Sequence, residues 1–83
     1  METVNQVRSL LGQVLNLGDR AQVLTTDTPL LGGIPELDSL AVATVVAGLE
    51  DEFEIMIEHD EINGETFRTL GSLAEYVENK LAN

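Results

Sequence analysis

Residues 38–53 read Asp-Ser-Leu-Ala-Val-Ala-Thr-Val-Val-Ala-Gly-Leu-Glu-Asp-Glu-Phe. Within them Val42, Val45, Val46, Leu49 and Phe53 recur at spacings of three and four, which lays one apolar stripe along a helix from about Asp38 to Phe53. The valines alone leave a strand open, because β-branched side chains suit a pleated surface. Length and spacing decide for the helix. Two further segments share the period. Val4, Val7, Leu11, Val14 and Leu15 form a first helix, with Thr3 and Gln6 at capping-box spacing and Gly18 after Leu17 as its C-cap. Leu70, Leu73, Ala74, Val77 and Leu81 form a last helix behind Thr69 as N-cap.

The connections are unequal. About twenty residues, Gly18 to Leu37, separate the first two helices and carry the breakers Thr28-Pro29 and Gly32-Gly33-Ile34-Pro35. A loop of that length in a small domain needs a function or an anchor. Leu24, Leu30, Leu31, Ile34 and Leu37 are positioned to pin it to the core, so it reads as ordered. The segment from Glu54 to Arg68 is irregular, with one short helix expected around Asp60 to Phe67.

The whole chain has 83 residues, which is a single small domain, and 43% of them are hydrophobic. Fifteen acidic residues against four basic ones give a net charge of −11. That balance argues against nucleic acid and against an anionic membrane surface, both of which are read by clustered Lys and Arg. It favours proteins with basic patches, or cations. Without cysteine there is no disulfide, zinc-thiolate site or protein thiol nucleophile. The N-terminal residues lack a signal-peptide pattern, and the longest apolar or small run, Leu40 to Leu49, is too short to span a bilayer. A cytoplasmic protein without membrane insertion is expected.

Enzyme constellations fail in turn, and no catalytic residue is assigned. Ser39 lacks the flanking glycines of a nucleophile elbow, and the single histidine, His59, lies in the irregular segment. No phosphate-binding loop motif is present, and the single lysine is Lys80. A calcium loop with Gly64 at its sixth position would place His59 first and Leu70 twelfth, where carboxylates are required. No metal site is expected. Between Glu36 and Glu65 stand ten acidic residues and no basic one. They read either as a solvated face or as a docking surface for basic partners. Ser39 likewise has two readings. Asp38 or Ser39 is only an N-cap, or the Ser39 hydroxyl is a modification site whose phosphate ester would sit by the free amides and positive dipole end of the helix.

Asp38-Ser39-Leu40 after a long loop, opening an apolar helix that ends in Leu49-Glu50-Asp51-Glu52-Phe53, resembles an acyl carrier protein. Ile57, Asp60-Glu61-Ile62, Phe67-Arg68-Thr69-Leu70 and Leu73 through Tyr76-Val77 extend the resemblance over essentially the whole chain. It implies an all-α four-helix bundle, with three longer helices plus a short one and a long first loop, forming one acyl carrier domain over residues 1–83. It also implies that Ser39, flanked by Asp38 and Leu40, is a substrate and not a catalyst. A magnesium-dependent phosphopantetheinyl transferase would place 4′-phosphopantetheine from coenzyme A on Ser39, and the arm's thiol would hold acyl groups as thioesters. The partners implied are that transferase, acyl ligases or synthases, and acyltransferases with basic patches. Glu36, Asp38, Glu50, Asp51, Glu52 and Glu54 are the docking candidates, and a monomer is expected.

Fatty-acid carriers typically place acidic residues soon after the serine, where this chain has Ala41 and Thr44. Thr28-Pro29-Leu30-Leu31-Gly32 and Ile34-Pro35-Glu36-Leu37-Asp38-Ser39 are most similar to specialised carriers accompanying exosortase and exopolysaccharide gene clusters in bacteria. A peptidyl carrier is the nearest alternative, but its Leu-Gly-Gly adjoins the serine. Here Leu31-Gly32-Gly33 stands six residues before Ser39. The alternatives outside the family are an unmodified acidic interaction module and a calcium sensor. Ala43, Ala47 and Gly48 are small for a helix interior, through close helix packing or to leave room for an acyl chain.

Overall fold

The three hydrophobic periods become α1 (Glu2–Val14), α2 (Ser39–Phe53) and α3 (Leu70–Ala82) in the computed structural model, which describes residues 2–82. Two short 3₁₀ helices, Gly18–Val23 and His59–Glu61, lie in the connections. Among the described residues the only β-type pairing is an isolated bridge between Pro29 and Thr69. The architecture is the expected all-α one. The stripes meet in one core, where Val7, Leu11, Val45, Leu49, Leu70, Leu73 and Val77 are fully enclosed around Phe67. Each such side chain contributes about 1.5–3 kcal/mol by leaving water.

Local chemistry explains where the helices stop. Asp38 caps α2, its Oδ1 accepting from the Ala41 amide at 2.9 Å. Thr69 caps α3 reciprocally with Ser72: each hydroxyl accepts from the other's amide at 3.0 Å. At α1 two expectations are corrected. Thr3 lies inside the helix and buried, and its hydroxyl donates to Glu78 of α3 at 2.6 Å, so it closes a tertiary contact and no capping box. The chain reverses at Asn16, in the left-handed region at φ 55°, with the Leu17 amide donating to the Gly12 carbonyl at 2.9 Å. Asn tolerates that conformation, so the helix ends two residues before Gly18, and the buried Leu17 seals it.

The long first connection is ordered. Leu24, Leu30, Ile34 and Leu37 are buried, whereas Leu31 is 42% exposed and does not join the core. Backbone hydrogen bonds tie the loop to the start of α3: Leu30 to Arg68 and Leu70 to Thr28 at 3.0 Å, Gly71 to Thr26 at 2.9 Å. The glycine pair serves this loop. Gly32 takes φ 82°, and a Cβ on Gly33 would collide with the Pro29 carbonyl, so the turn that buries Ile34 requires both.

The short helix expected over Asp60 to Phe67 is only the 3₁₀ turn His59–Glu61, followed by turns. Asn63 Oδ1 accepts from the Thr66 amide at 3.0 Å, a local bond that competes with helical pairing, and Gly64 follows it. The small residues of α2 also read differently in place. A Cβ on Gly48 would sit 3.1 Å from Leu10 Cδ1, so Gly48 permits close packing of α1 on α2, while Ala43 and Ala47 face outward.

Candidate functional site

The first turn of α2 carries the candidate site, Ser39. Of its four amides, Ala41 bonds the Asp38 carboxylate and Val42 the Asp38 carbonyl at 2.8 Å. The Ser39 and Leu40 amides are left at the positive end of the helix dipole. Ser39 is exposed as the first residue of the helix, and Leu40 is 82% exposed beside it. The serine therefore stands on a fixed turn, and its cap does not consume its hydroxyl.

Behind Ser39 opens a cleft of about 550 Å³. Val42 and Ser39 of α2 form one wall, Ile62, Asn63, Gly64 and Phe67 the other, and Leu31 closes one side. Phe67 is held by the core and by its carbonyl, which accepts from the Leu31 amide at 3.2 Å. Sequence reasoning did not place these residues together. Leu31 and Phe67 lie far apart in the chain, and only the loop-to-α3 straps bring them to Ser39.

The docking candidates divide by surroundings. Asp51, Glu52 and Glu54 are exposed at the far end of α2. Glu50 is half-buried there, and its carboxylate accepts from the Ile57 amide at 2.9 Å, which fixes the chain leaving the helix. Asp38 is the N-cap. Glu36 pairs with Arg20 through both guanidinium nitrogens, with Nη2 to Oε1 at 2.8 Å, and the hydrogen bond from Arg20 holds its carboxyl below the usual carboxylate range. Arg20 and Glu36 are sixteen residues apart, and no local signal in the sequence marked the pair. The other three basic side chains are also engaged within the molecule. Arg8 donates to the Leu24 carbonyl, Arg68 sits by Glu65, and Lys80 by Glu61. Among the described residues Asp51, Glu52 and Glu54 have no basic side chain within ion-pair distance.

A second unforeseen cluster lies behind the Ile62 wall. Lys80 of α3 reaches Glu61 Oε1 at 2.9 Å, and the same oxygen accepts from the Glu58 amide at 2.9 Å. The hydrogen bond from Lys80, with that from the Glu58 backbone, lowers the Glu61 carboxyl below its ordinary value. Lys80 Nζ also stands 5.9 Å from the centroid of the Tyr76 ring. The Tyr76 hydroxyl is enclosed beside Glu61, outside good hydrogen-bond geometry; burial, and then the charge of Glu61, push it up to about 12. Among the described residues no group of three or more metal-ligating side chains comes together, and His59 and Asp60 are exposed on their 3₁₀ turn.

An accessible serine at a helix N-terminus beside a cleft, in a chain without a thiol, fits a phosphate-linked arm that brings its own sulfur. The chain belongs to the phosphopantetheine-binding carrier family, whose description, "phosphopantetheine attachment site", matches residues 5–77. It is similar to a holo acyl carrier protein from Nitrosomonas europaea solved by solution NMR. The two share 52% identity over 100% of both chains, with a TM-score of 0.93. No curated protein matches. The function is that of an acyl carrier, a non-catalytic role, with 4′-phosphopantetheine as the prosthetic group. Carriers of this kind work through contacts with transferases and synthases. No described helix is long and apolar enough to cross a membrane.

Proposed function

We propose that Ser39 is the attachment residue and that the acyl group rests in the cleft between α2 and residues 62–67. One observation carries this reading: Ser39 is the exposed first residue of α2 and itself lines the mouth of that cleft. Attachment makes a phosphodiester at Ser39 Oγ. The pyrophosphate bond of coenzyme A breaks, adenosine 3′,5′-bisphosphate leaves, and the serine proton passes to a base of the transferase. The free Ser39 and Leu40 amides face the new phosphate. Asp38 keeps the turn in place throughout. When bound, the arm supplies a thiol that carries acyl groups as thioesters. Val42, Ile62 and Phe67 give an apolar chain a surface away from water.

The acidic residues Asp51, Glu52 and Glu54, with Asp38, are the docking surface for partners with basic patches. Glu50 and Glu36 contribute charge but are held by Ile57 and Arg20. With Ala41 and Thr44 after the serine in place of acids, the carrier serves a specialised lipid or exopolysaccharide-related pathway. It is loaded by a dedicated acyl ligase, in the cytoplasm, as a monomer.

Intact mass tests the site. Apo protein and Ser39→Ala are incubated with coenzyme A, magnesium and a broad-specificity phosphopantetheinyl transferase. The wild type gains one phosphopantetheine and Ser39→Ala gains none, with its fold intact because Asp38 still caps α2. Modification of Ser39→Ala, or none of the wild type beside a modified control carrier, overturns the assignment. Loading assays with fatty acids against amino acids separate the acyl from the peptidyl carrier.

A further inference from the structure

The two walls of the cleft are built differently. On one side α2 is anchored by Val45, Val46 and Leu49 in the core. On the other, the chain from 54 to 66 contributes no fully buried side chain, and Ile62 is only half-buried. A segment with so little apolar anchorage lies at the low end of local stability.

Ile57 and Ile62 pack partly against the core, and polar contacts supply the rest of the hold, several of them meeting at Glu61. Its Oε1 accepts from the Glu58 amide, closing the 3₁₀ turn, and from Lys80 Nζ, which ties that turn to α3, both at 2.9 Å. Its carbonyl accepts from the Thr66 hydroxyl at 2.9 Å, and the Ser72 hydroxyl of α3 donates to the Thr66 carbonyl at 3.0 Å. The next residue after Glu61 is Ile62, a wall of the cleft. Lys80 is thus the single charged group that α3 extends to this wall. Its side chain is 24% exposed and that of Glu61 33%, so the pair is less screened than one in open solvent.

We propose that Lys80 and Glu61 form a latch that sets how far the Ile62–Gly64 wall stands from α2, making Lys80 a positioning residue for the carried acyl group. The proposal rests on the reading that the chain lies in this cleft. With the latch closed, the wall is held against α3 and the cleft keeps its shape. With Lys80 neutralised, the turn keeps its internal Glu58–Glu61 bond and the neutral Thr66–Ser72 contacts but loses its only charged tie to α3. The wall then opens more often.

The test compares wild type, Lys80→Met and Lys80→Arg as acetyl and octanoyl forms, following thioester cleavage by hydroxylamine. Amide exchange is recorded at Glu61 and Ile62, whose amides bond the Glu58 and His59 carbonyls. Methionine keeps the stem over Tyr76 and removes only the charge. In the wild type the octanoyl thioester is cleaved more slowly than the acetyl. In Lys80→Met the octanoyl rate and the two exchange rates rise by about two- to five-fold, the worth of a part-exposed ion pair. The acetyl rate stays unchanged, and Lys80→Arg restores the wild-type values. High salt moves the wild type toward Lys80→Met and leaves Lys80→Met where it is. Equal acetyl and octanoyl rates in the wild type overturn the cleft reading and the latch with it. A protected octanoyl chain that is indifferent to Lys80→Met, with unchanged exchange, overturns the latch alone.

Discussion

Replacing Asp38 separates what this residue does for the helix from what it does for a partner. Its carboxylate accepts the Ala41 amide at 2.9 Å, and its charge faces the positive end of α2. Losing an N-cap bond costs about 1 kcal/mol, and losing a charge in that position about 0.3–1 kcal/mol. Asp38→Ala forfeits both, about 1.5 kcal/mol together, whereas Asp38→Asn keeps the bond and loses only about 0.5 kcal/mol. A domain of this size shifts by about 4–8 °C per kcal/mol, so thermal unfolding falls by about 6–12 °C in the first variant and about 2–4 °C in the second. Ala41 amide exchange accelerates in Asp38→Ala and stays near wild type in Asp38→Asn. Phosphopantetheinylation is then measured on both. If the charge docks the transferase, Asp38→Asn is modified more slowly despite its intact turn. Unchanged melting and Ala41 exchange in Asp38→Ala would refute the claim that this side chain holds the turn on which Ser39 stands.

Three further perturbations address other parts of the molecule. Tyr76→Phe deletes an enclosed hydroxyl without a partner and is expected to stabilise the protein by about 1 kcal/mol, read from denaturant midpoints; a loss of stability would mean that the hydroxyl is bonded. Glu54 holds φ 53° at the end of α2, so Glu54→Gly relieves about 1 kcal/mol of left-handed strain, and removes a negative charge from the negative end of the helix. Its melting temperature should rise, and a fall would count against that account. Glu61 has a folded pKa below its ordinary 4.5, so its contribution is fully present above pH 4.5 and lost as pH falls through the lower folded value. Differential melting from pH 6 to pH 3 should show wild type losing its advantage over Glu61→Gln in that acid window; a constant difference would sink the idea.

What could be read from the sequence was what is settled within a turn or two. The stripes of α1, α2 and α3, the Asp38 and Thr69 caps and the pinned Leu24, Leu30, Ile34 and Leu37 all depend on near neighbours. Ser39 drew attention for the same reason. Thr3 had the spacing of a cap, but α3 delivered Glu78 to it. Gly18 has the composition of a C-cap, but Asn16 also adopts a left-handed backbone and ends α1 first. Hydrophobicity does not say which of the adjacent Leu30 and Leu31 faces in, and only Leu30 joins the core. The cleft and both ion pairs were beyond reach. Arg20 meets Glu36, and Lys80 meets Glu61, only after the loops have been strapped down.

The bond from Thr3 to Glu78 places the start of α1 beside the end of α3. Glu52, near the end of α2, shares a groove with Glu2, Asn5 and Gln6, so that corner also lies at the far end of α2 from Ser39. A fifteen-residue helix is about 22 Å long, so Ser39 lies at the opposite pole from the start of α1 and the end of α3. A bulky group attached at the start of α1 or the end of α3 would therefore leave the Ser39 turn uncovered.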